Sequence, residues 1–212
     1  MPFTTVAKLR AQTVSSLRRV VLPLIIVTTA VVSGCGRPAP DPAAEAAAAE
    51  KKAAEAKARE EADAKREAQR LADLWTYSVT PAGKGNQLST YIFSTEMIDT
   101  GGETPGRVQL VFRDHPAWGR SSYLVMPGGD FNCYAGCTLA VTVDAAAPKS
   151  MAGRRPKTDE AIAMFINDWR ALWRLTNGAK QLTIEFPVRA GGTRRATFEV
   201  AGLDRSRMPG WN

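Results

Sequence analysis

From Ala43 to Leu74 the chain holds no Gly, Pro or β-branched residue, and no Leu, Met or aromatic side chain before Leu71. It is built almost wholly from Ala, Glu, Lys, Arg and Asp, most of them strong helix formers. Glu55 with Arg59 and Glu61 with Lys65 fall one helical turn apart, each such pair adding a few tenths of a kcal/mol. The segment therefore predicts a helix of about 48 Å at 1.5 Å per residue. A helix without an apolar stripe has nothing to bury, so it is solvated along its length. Three forms fit: a single semi-rigid helix, an Ala-seamed coiled coil that makes the protein oligomeric, or a frayed linker. All three space the rest of the protein away from whatever precedes them. The apolar core must then come from residues 75–212, a stretch of ordinary single-domain size.

Within that stretch the dominant signal is alternation. Val108, Leu110 and Phe112 alternate with polar or basic neighbours, as do Leu182, Ile184 and Phe186, and Phe198 with Val200. A period of two marks strands with one wet face. Strands are expected at Trp75 to Thr80, Leu88 to Thr95, Arg107 to Arg113, Ser121 to Met126, Cys137 to Val143, Gln181 to Arg189 and Thr193 to Ala201. The turn Pro81 to Asn86, the Gly-rich loop Thr100 to Gly106, the basic loop Ala147 to Lys157 and the hairpin turn Ala190 to Gly192 separate them. One helix is expected from Thr158 to Thr176. Ile162, Phe165, Ile166, Trp169, Leu172 and Trp173 would share its face, with Thr158 as cap, Asp159 and Glu160 in the first turn and Asn177-Gly178 as the stop. The expected fold is α+β or mainly β: an antiparallel sheet or sandwich with one amphipathic helix packed over the closing hairpin, preceded by the long solvated helix.

The beginning of the chain is of another kind. Lys8, Arg10, Arg18 and Arg19 precede the apolar run Val20 to Val32, and no acidic residue comes before Asp41. This is the order of a secretory signal peptide, and the run is shorter than the roughly 20 residues that span a bilayer. The four residues Val32-Ser33-Gly34-Cys35 that close it resemble the lipobox of bacterial lipoproteins. That resemblance implies diacylation of the Cys35 sulfur, cleavage after residue 34 and acylation of the new amino group. Three acyl chains hold a protein to a membrane far more firmly than one. The other reading is a membrane-anchored N-terminus with an incidental Cys. Gly36 follows in place of the Asp that resembles an inner-membrane retention signal, which favours the outer membrane. The expected organisation is a signal peptide at 1–34, a tether at 35–42, the spacer at 43–74 and a β-rich domain at 75–212.

Removal of residues 1–34 would take the formal charge from +7 to about +3, so the basic balance belongs largely to the leader. Basic residues elsewhere are scattered or interleaved with acids, and an exported protein with no basic face does not read as a nucleic-acid binder. With Cys35 acylated, Cys133 and Cys137 remain as a pair in an oxidising compartment, and a disulfide is expected between them across Tyr134-Ala135-Gly136. Two Cys and the single His115 do not complete a four-ligand zinc site, and C-x-x-x-C departs from the redox C-x-x-C spacing. No metal and no cofactor is expected.

Trp75-Thr76-Tyr77, the strand ending at Arg113, the run Gly129 to Cys133, Cys137 leading a strand, Thr158-Asp159 and the run Phe198 to Leu203 resemble a loosely defined group of uncharacterised bacterial envelope proteins. The domain is also distantly similar to type VI secretion-associated accessory proteins. The resemblance implies a fold and no catalytic residues.

Signals of catalysis are sparse. Asp114 and His115 are adjacent on an extended chain, which turns their side chains to opposite faces. No Gly-x-Ser-x-Gly stands in the sequence, and nothing fixes the separation of Glu96, Asp99, Glu103 or Asp130. Recognition is better supported. Trp118 with Arg120, the cluster Arg154, Arg155 and Lys157, and the tail from Arg205 through Trp211 combine basic and aromatic side chains in predicted loops, where recognition surfaces concentrate. They suit acidic partners, anionic wall polymers or phospholipid headgroups. Trp169 and Trp173 are assigned to the core. The expected function is a non-enzymatic, periplasm-facing envelope lipoprotein with a protein partner in an envelope assembly. The alternatives are an inhibitor or immunity protein against a hydrolase or toxin, and a hydrolase.

Overall fold

The computed structural model describes residues 41–156 and 162–211; the signal segment, Cys35, Lys157 and Thr158 to Glu160 lie outside the described residues. Two compact units divide at Ala46, and the second, Ala47 to Asn212, carries all of the sheet.

Helix α1 runs Pro42–Asp73 and buries none of its residues, as its composition requires. Pro42, expected in the tether, is instead its first residue, a position where the missing N–H costs nothing. Asp41 caps it, its carboxylate accepting from the Ala43 N–H at 3.0 Å. The surface ion pairs that form are Lys57–Glu61, Asp63–Arg66 and Glu67–Arg70. At the far end the helix meets the domain: Arg70 also pairs with Glu199 at 2.9 Å, and Trp75 just beyond is buried. Gly202, at φ +99°, lies so close to α1 that a Cβ there would stand 2.5 Å from the Leu71 carbonyl carbon. Only glycine fits that contact.

Among the described residues nine strands form one open antiparallel sheet: β1 Thr76–Ala82, β2 Gly85–Phe93, β3 Gln109–His115, β4 Gly119–Val125, β5 Cys137–Val143, β6 Lys149–Arg154, β7 Ala163–Ile166, β8 Leu182–Pro187 and β9 Thr193–Phe198. Their order is β1-β2-β3-β4-β7-β6-β5-β8-β9. The first four strands form a meander. The chain then skips sideways, and β5, β6 and β7 run back to pair with β4, leaving the hairpin β8-β9 on the far side of β5. The sheet bends around one apolar interior that takes Leu110 and Phe112 from β3, Leu139 and Val141 from β5, and Leu182 and Phe186 from β8. The Thr95 N–H, just past β2, donates to the Thr197 carbonyl at 2.8 Å and ties the segment after β2 to the edge strand β9.

The strand expectations hold in kind, with corrections. The β1-β2 turn is only Gly83-Lys84, tighter than the span Pro81 to Asn86, with Gly83 at φ +61° supplying the first position of a two-residue hairpin turn. The basic loop expected at Ala147 to Lys157 contains strand β6. Its side chains are mostly exposed, and it is held by backbone pairing to β5 and β7 rather than by an apolar pattern.

The largest correction concerns the expected helix Thr158 to Thr176. Its described part is strand β7 followed by the seven-residue helix α2, Trp169–Leu175. Met164 and Ile166 are buried on alternate positions of β7, while Ile162 is exposed. A short strand and a short helix laid end to end imitate offsets of three and four. Asp168 makes the break, its carboxylate capping the Ala171 N–H at 2.9 Å. Helix α2 packs on β4, with Trp173 edge-on to Phe112 at 5.1 Å and against Trp211 at 5.0 Å, and its Leu172 and Trp173 join the core that takes Leu182, Ile184, Phe186 and Phe198 from the closing hairpin.

Candidate binding groove

The β3-β4 hairpin closes through a short loop in which His115 faces Gly119 across the register, with Gly119 at φ +70°. Trp118 stands at its tip, 72% exposed, and its ring stacks on His115 at 3.8 Å. The His115 Nδ1 accepts from the Ala117 N–H at 3.1 Å, while the neighbouring Asp114 turns away to pair with Arg120 at 3.2 Å. Each side chain thus has its own local partner, as the alternation of an extended chain dictates.

From Trp118 a layer of arginines and rings crosses the outer face of the sheet. The Arg113 guanidinium lies 5.5 Å from the Trp118 ring and 5.3 Å from Tyr123, and Arg154 lies 5.5 Å from Phe165. Tyr123 and Phe165 are register partners on β4 and β7, with centroids 5.2 Å apart. Such contacts keep guanidinium groups in place while leaving their outer edges in water. Burial raises the Tyr123 phenol above its ordinary pKa, and the nearby Arg113 charge opposes it.

This layer leads into two adjoining clefts that meet at Arg120. One, of about 230 Å³, lies between Arg120, Arg154, Phe165 and Trp169. The other, of about 220 Å³, is lined by Arg120, Arg170, Arg174 and Arg205 with Trp173 and Trp211. Arg120 lies 5.7 Å from the Trp169 ring, and Arg170 lies 4.9 Å from the same ring. Arg205 is the most constrained: it covers Trp173 at 4.2 Å and donates to the Trp173 carbonyl and to the Thr176 hydroxyl. Its burial lowers its pKa from the usual arginine value. The acids on the same elements are engaged, Asp114 by Arg120, Asp168 by the Ala171 N–H, and Asp204 by the Ser206 N–H and hydroxyl.

Of the residues expected to form a binding surface, Trp118 and Arg154 lie with the outer layer, whereas Arg120, paired with Asp114, leaves β4 on the opposite side and meets Arg154 in the cleft at the strand ends. Arg155 joins neither. Its side chain is completely buried, paired with Asp130 at 2.7 Å and lying 3.8 Å from the Tyr134 ring, so it serves the interior. Lys157 lies outside the described residues. Trp211, expected in an exposed tail, is only 4% exposed and packs against Phe112, Trp169 and Trp173, because the short helical turns at Arg205–Arg207 and Pro209–Trp211 fold the tail back onto the domain. Arg170 and Arg174 escaped the sequence reading because a long amphipathic helix would have turned them to open solvent; their one-turn spacing was the available signal.

The cysteine pair stands at the start of β5, where Cys137 is the register partner of Gly153, next to Arg154. The Cys133 and Cys137 sulfurs are at disulfide distance, 2.03 Å, with Gly136 at φ +93° turning the chain between them. Asp130 accepts from both Arg155 and the Tyr134 hydroxyl, and the Arg155 N–H reaches the Cys133 carbonyl, so the turn is fastened to the buried ion pair. A hollow of about 720 Å³ lies between this turn and residues 152–156.

No family model, curated protein or solved structure matches this chain. Among the described residues no helix is long and apolar enough to cross a membrane, and no cluster of His, Cys, Asp and Glu is arranged to hold a metal.

Proposed function

We propose that the protein is a lipid-anchored lipoprotein of the bacterial envelope that presents a binding domain to the periplasm as an accessory component of an envelope assembly. Acylation at Cys35 ties it to the membrane, with the outer membrane favoured by Gly36. What supports the reading is α1: a helix without a buried residue between the lipobox and a folded head, which is of use as a spacer and of none as a core element. The head offers side chains suited to recognition, with Trp118 projecting from a hairpin tip beside Arg113 and a groove lined by arginines. Arginine and tryptophan are the side chains most enriched among energetically dominant interface residues.

Replacing Cys35 by Ala tests the anchor. The variant should move from the membrane to the soluble fraction, and intact mass of the parent should show a chain beginning at Cys35 with acyl additions. Retention of the variant in membranes would overturn the lipid-anchor account. Crosslinking in intact cells, followed by mass spectrometry of what is attached to residues 75–212, tests the rest. Several envelope components support an accessory role, whereas one tightly bound hydrolase or toxin identifies an inhibitor or immunity protein.

A further inference from the structure

The two clefts that meet at Arg120 gather Arg120, Arg154, Arg170, Arg174 and Arg205 against a floor of tryptophan rings. Five guanidinium groups crowded along one groove repel one another, and only Arg120 has a carboxylate partner among the described residues. Arg170 and Arg174 sit one turn apart on α2, exposed and without an ion pair there. The indole N–H groups of Trp173 and Trp211, side chains that line the same cleft, are buried and have no hydrogen-bond partner among the described residues. The same two rings form the apolar floor beneath the guanidinium groups.

We propose that this groove binds a soluble ligand carrying at least two oxyanion groups, phosphate or carboxylate, one held by Arg170, Arg174 and Arg205 and the next by Arg120 and Arg154. The inference rests on reading the domain as a recognition module and names the chemistry of what it recognises. Guanidinium forks match the paired oxygens of both anions. The concave shape favours a molecule that enters over a flat bilayer surface, since the rings forming the floor are almost wholly buried, Trp173 at 1% and Trp211 at 4% exposure. Trp169, half-buried where the two clefts adjoin, offers a ring face to the apolar part of a ligand that bridges them.

The test titrates the detergent-solubilised full-length protein with tripolyphosphate at low salt, read by tryptophan fluorescence and by calorimetry; citrate supplies the carboxylate arm. Expected are saturable 1:1 binding of one or both probes, weakening as salt rises, and at least a tenfold loss of affinity in the double variant Arg170→Gln/Arg174→Gln. Both positions are exposed, and an unchanged near-UV circular dichroism spectrum confirms that the fold is kept. Arg195→Gln, which alters an exposed arginine on β9 paired with Glu185, should bind as the parent does. Equal affinity in the double variant, or equal weakening by Arg195→Gln, overturns the proposal. So does binding to phosphatidylglycerol vesicles with none to either probe. None of these outcomes bears on the Cys35 anchor, which the membrane fractionation tests separately.

Discussion

Removal of the Asp130 carboxylate should be among the most damaging single changes available in this domain. Asp130 faces the Arg155 guanidinium at 2.7 Å where the arginine side chain has no solvent exposure, and Asp130 itself is only 15% exposed. Removing one member of a buried ion pair costs roughly 3–5 kcal/mol, and less where the remaining charge keeps other contacts. Arg155 keeps its contact with the Tyr134 ring and the bond from its backbone to Cys133, which places Asp130→Ala near the lower end, about 3 kcal/mol. For a chain of this size each kcal/mol moves the midpoint by about 3 °C, so Tm should fall by about 10 °C. Near-UV circular dichroism is the appropriate signal because it follows the packed tryptophans, whereas far-UV ellipticity is dominated by the solvated α1. The double variant Asp130→Ala/Arg155→Met, which removes both charges, should recover part of the loss. A fall of less than about 3 °C for Asp130→Ala, or a double variant less stable than the single one, would refute the idea that this pair is a buried latch.

Gly202→Ala should destabilise by about 2 kcal/mol or more, since it combines a left-handed backbone with a Cβ 2.5 Å from the Leu71 carbonyl carbon; urea denaturation followed by tryptophan fluorescence measures it. Replacing Cys133 and Cys137 by Ala should cost only about 2 kcal/mol, because closing so short a loop removes little entropy from the unfolded chain, and the same denaturation curves would show a larger loss if the bridge held more than its own turn. Stability should also fall in alkali. Burial raises the Tyr77 and Tyr123 phenols in the folded state, so their contribution is full below the unfolded value of about 10 and is lost as pH rises beyond it. Midpoints measured between pH 9 and 11 should drop less steeply in Tyr123→Phe than in the parent.

What could be read from the amino acids alone divides along physical lines. Where an element's identity rests on its own side chains, the reading succeeded: α1 from its lack of any apolar stripe, β3 from Val108, Leu110 and Phe112, and the closing hairpin from Ala190 to Gly192 between two alternating runs. It failed where tertiary partners decide. Strand β6 has almost no buried side chain and exists because β5 and β7 offer it backbone partners on both sides. Strand β7 and α2 were merged because Ile162 to Trp173 satisfies a helical period across a boundary set by one capping carboxylate on Asp168. The groove was half legible for the same reason. Arg120 and Arg154 stood out as basic residues beside aromatics, but that Arg205 folds back over Trp173, or that Arg155 is buried against Asp130, depends on long-range closure that no local pattern encodes.

The two margins of the sheet are unequal, and that difference bears on how the protein behaves when concentrated. Strand β9 has Thr95 bonded to it on the side away from β8, whereas β1 pairs with β2 and with no other strand among the described residues. An uncovered margin is a template for another chain to extend. Here Pro81, which has no N–H to donate, interrupts the row and tempers that hazard while leaving Val79 exposed beside it. Any stacking of copies at high expression should therefore begin at β1, and substitution of Pro81 should promote it.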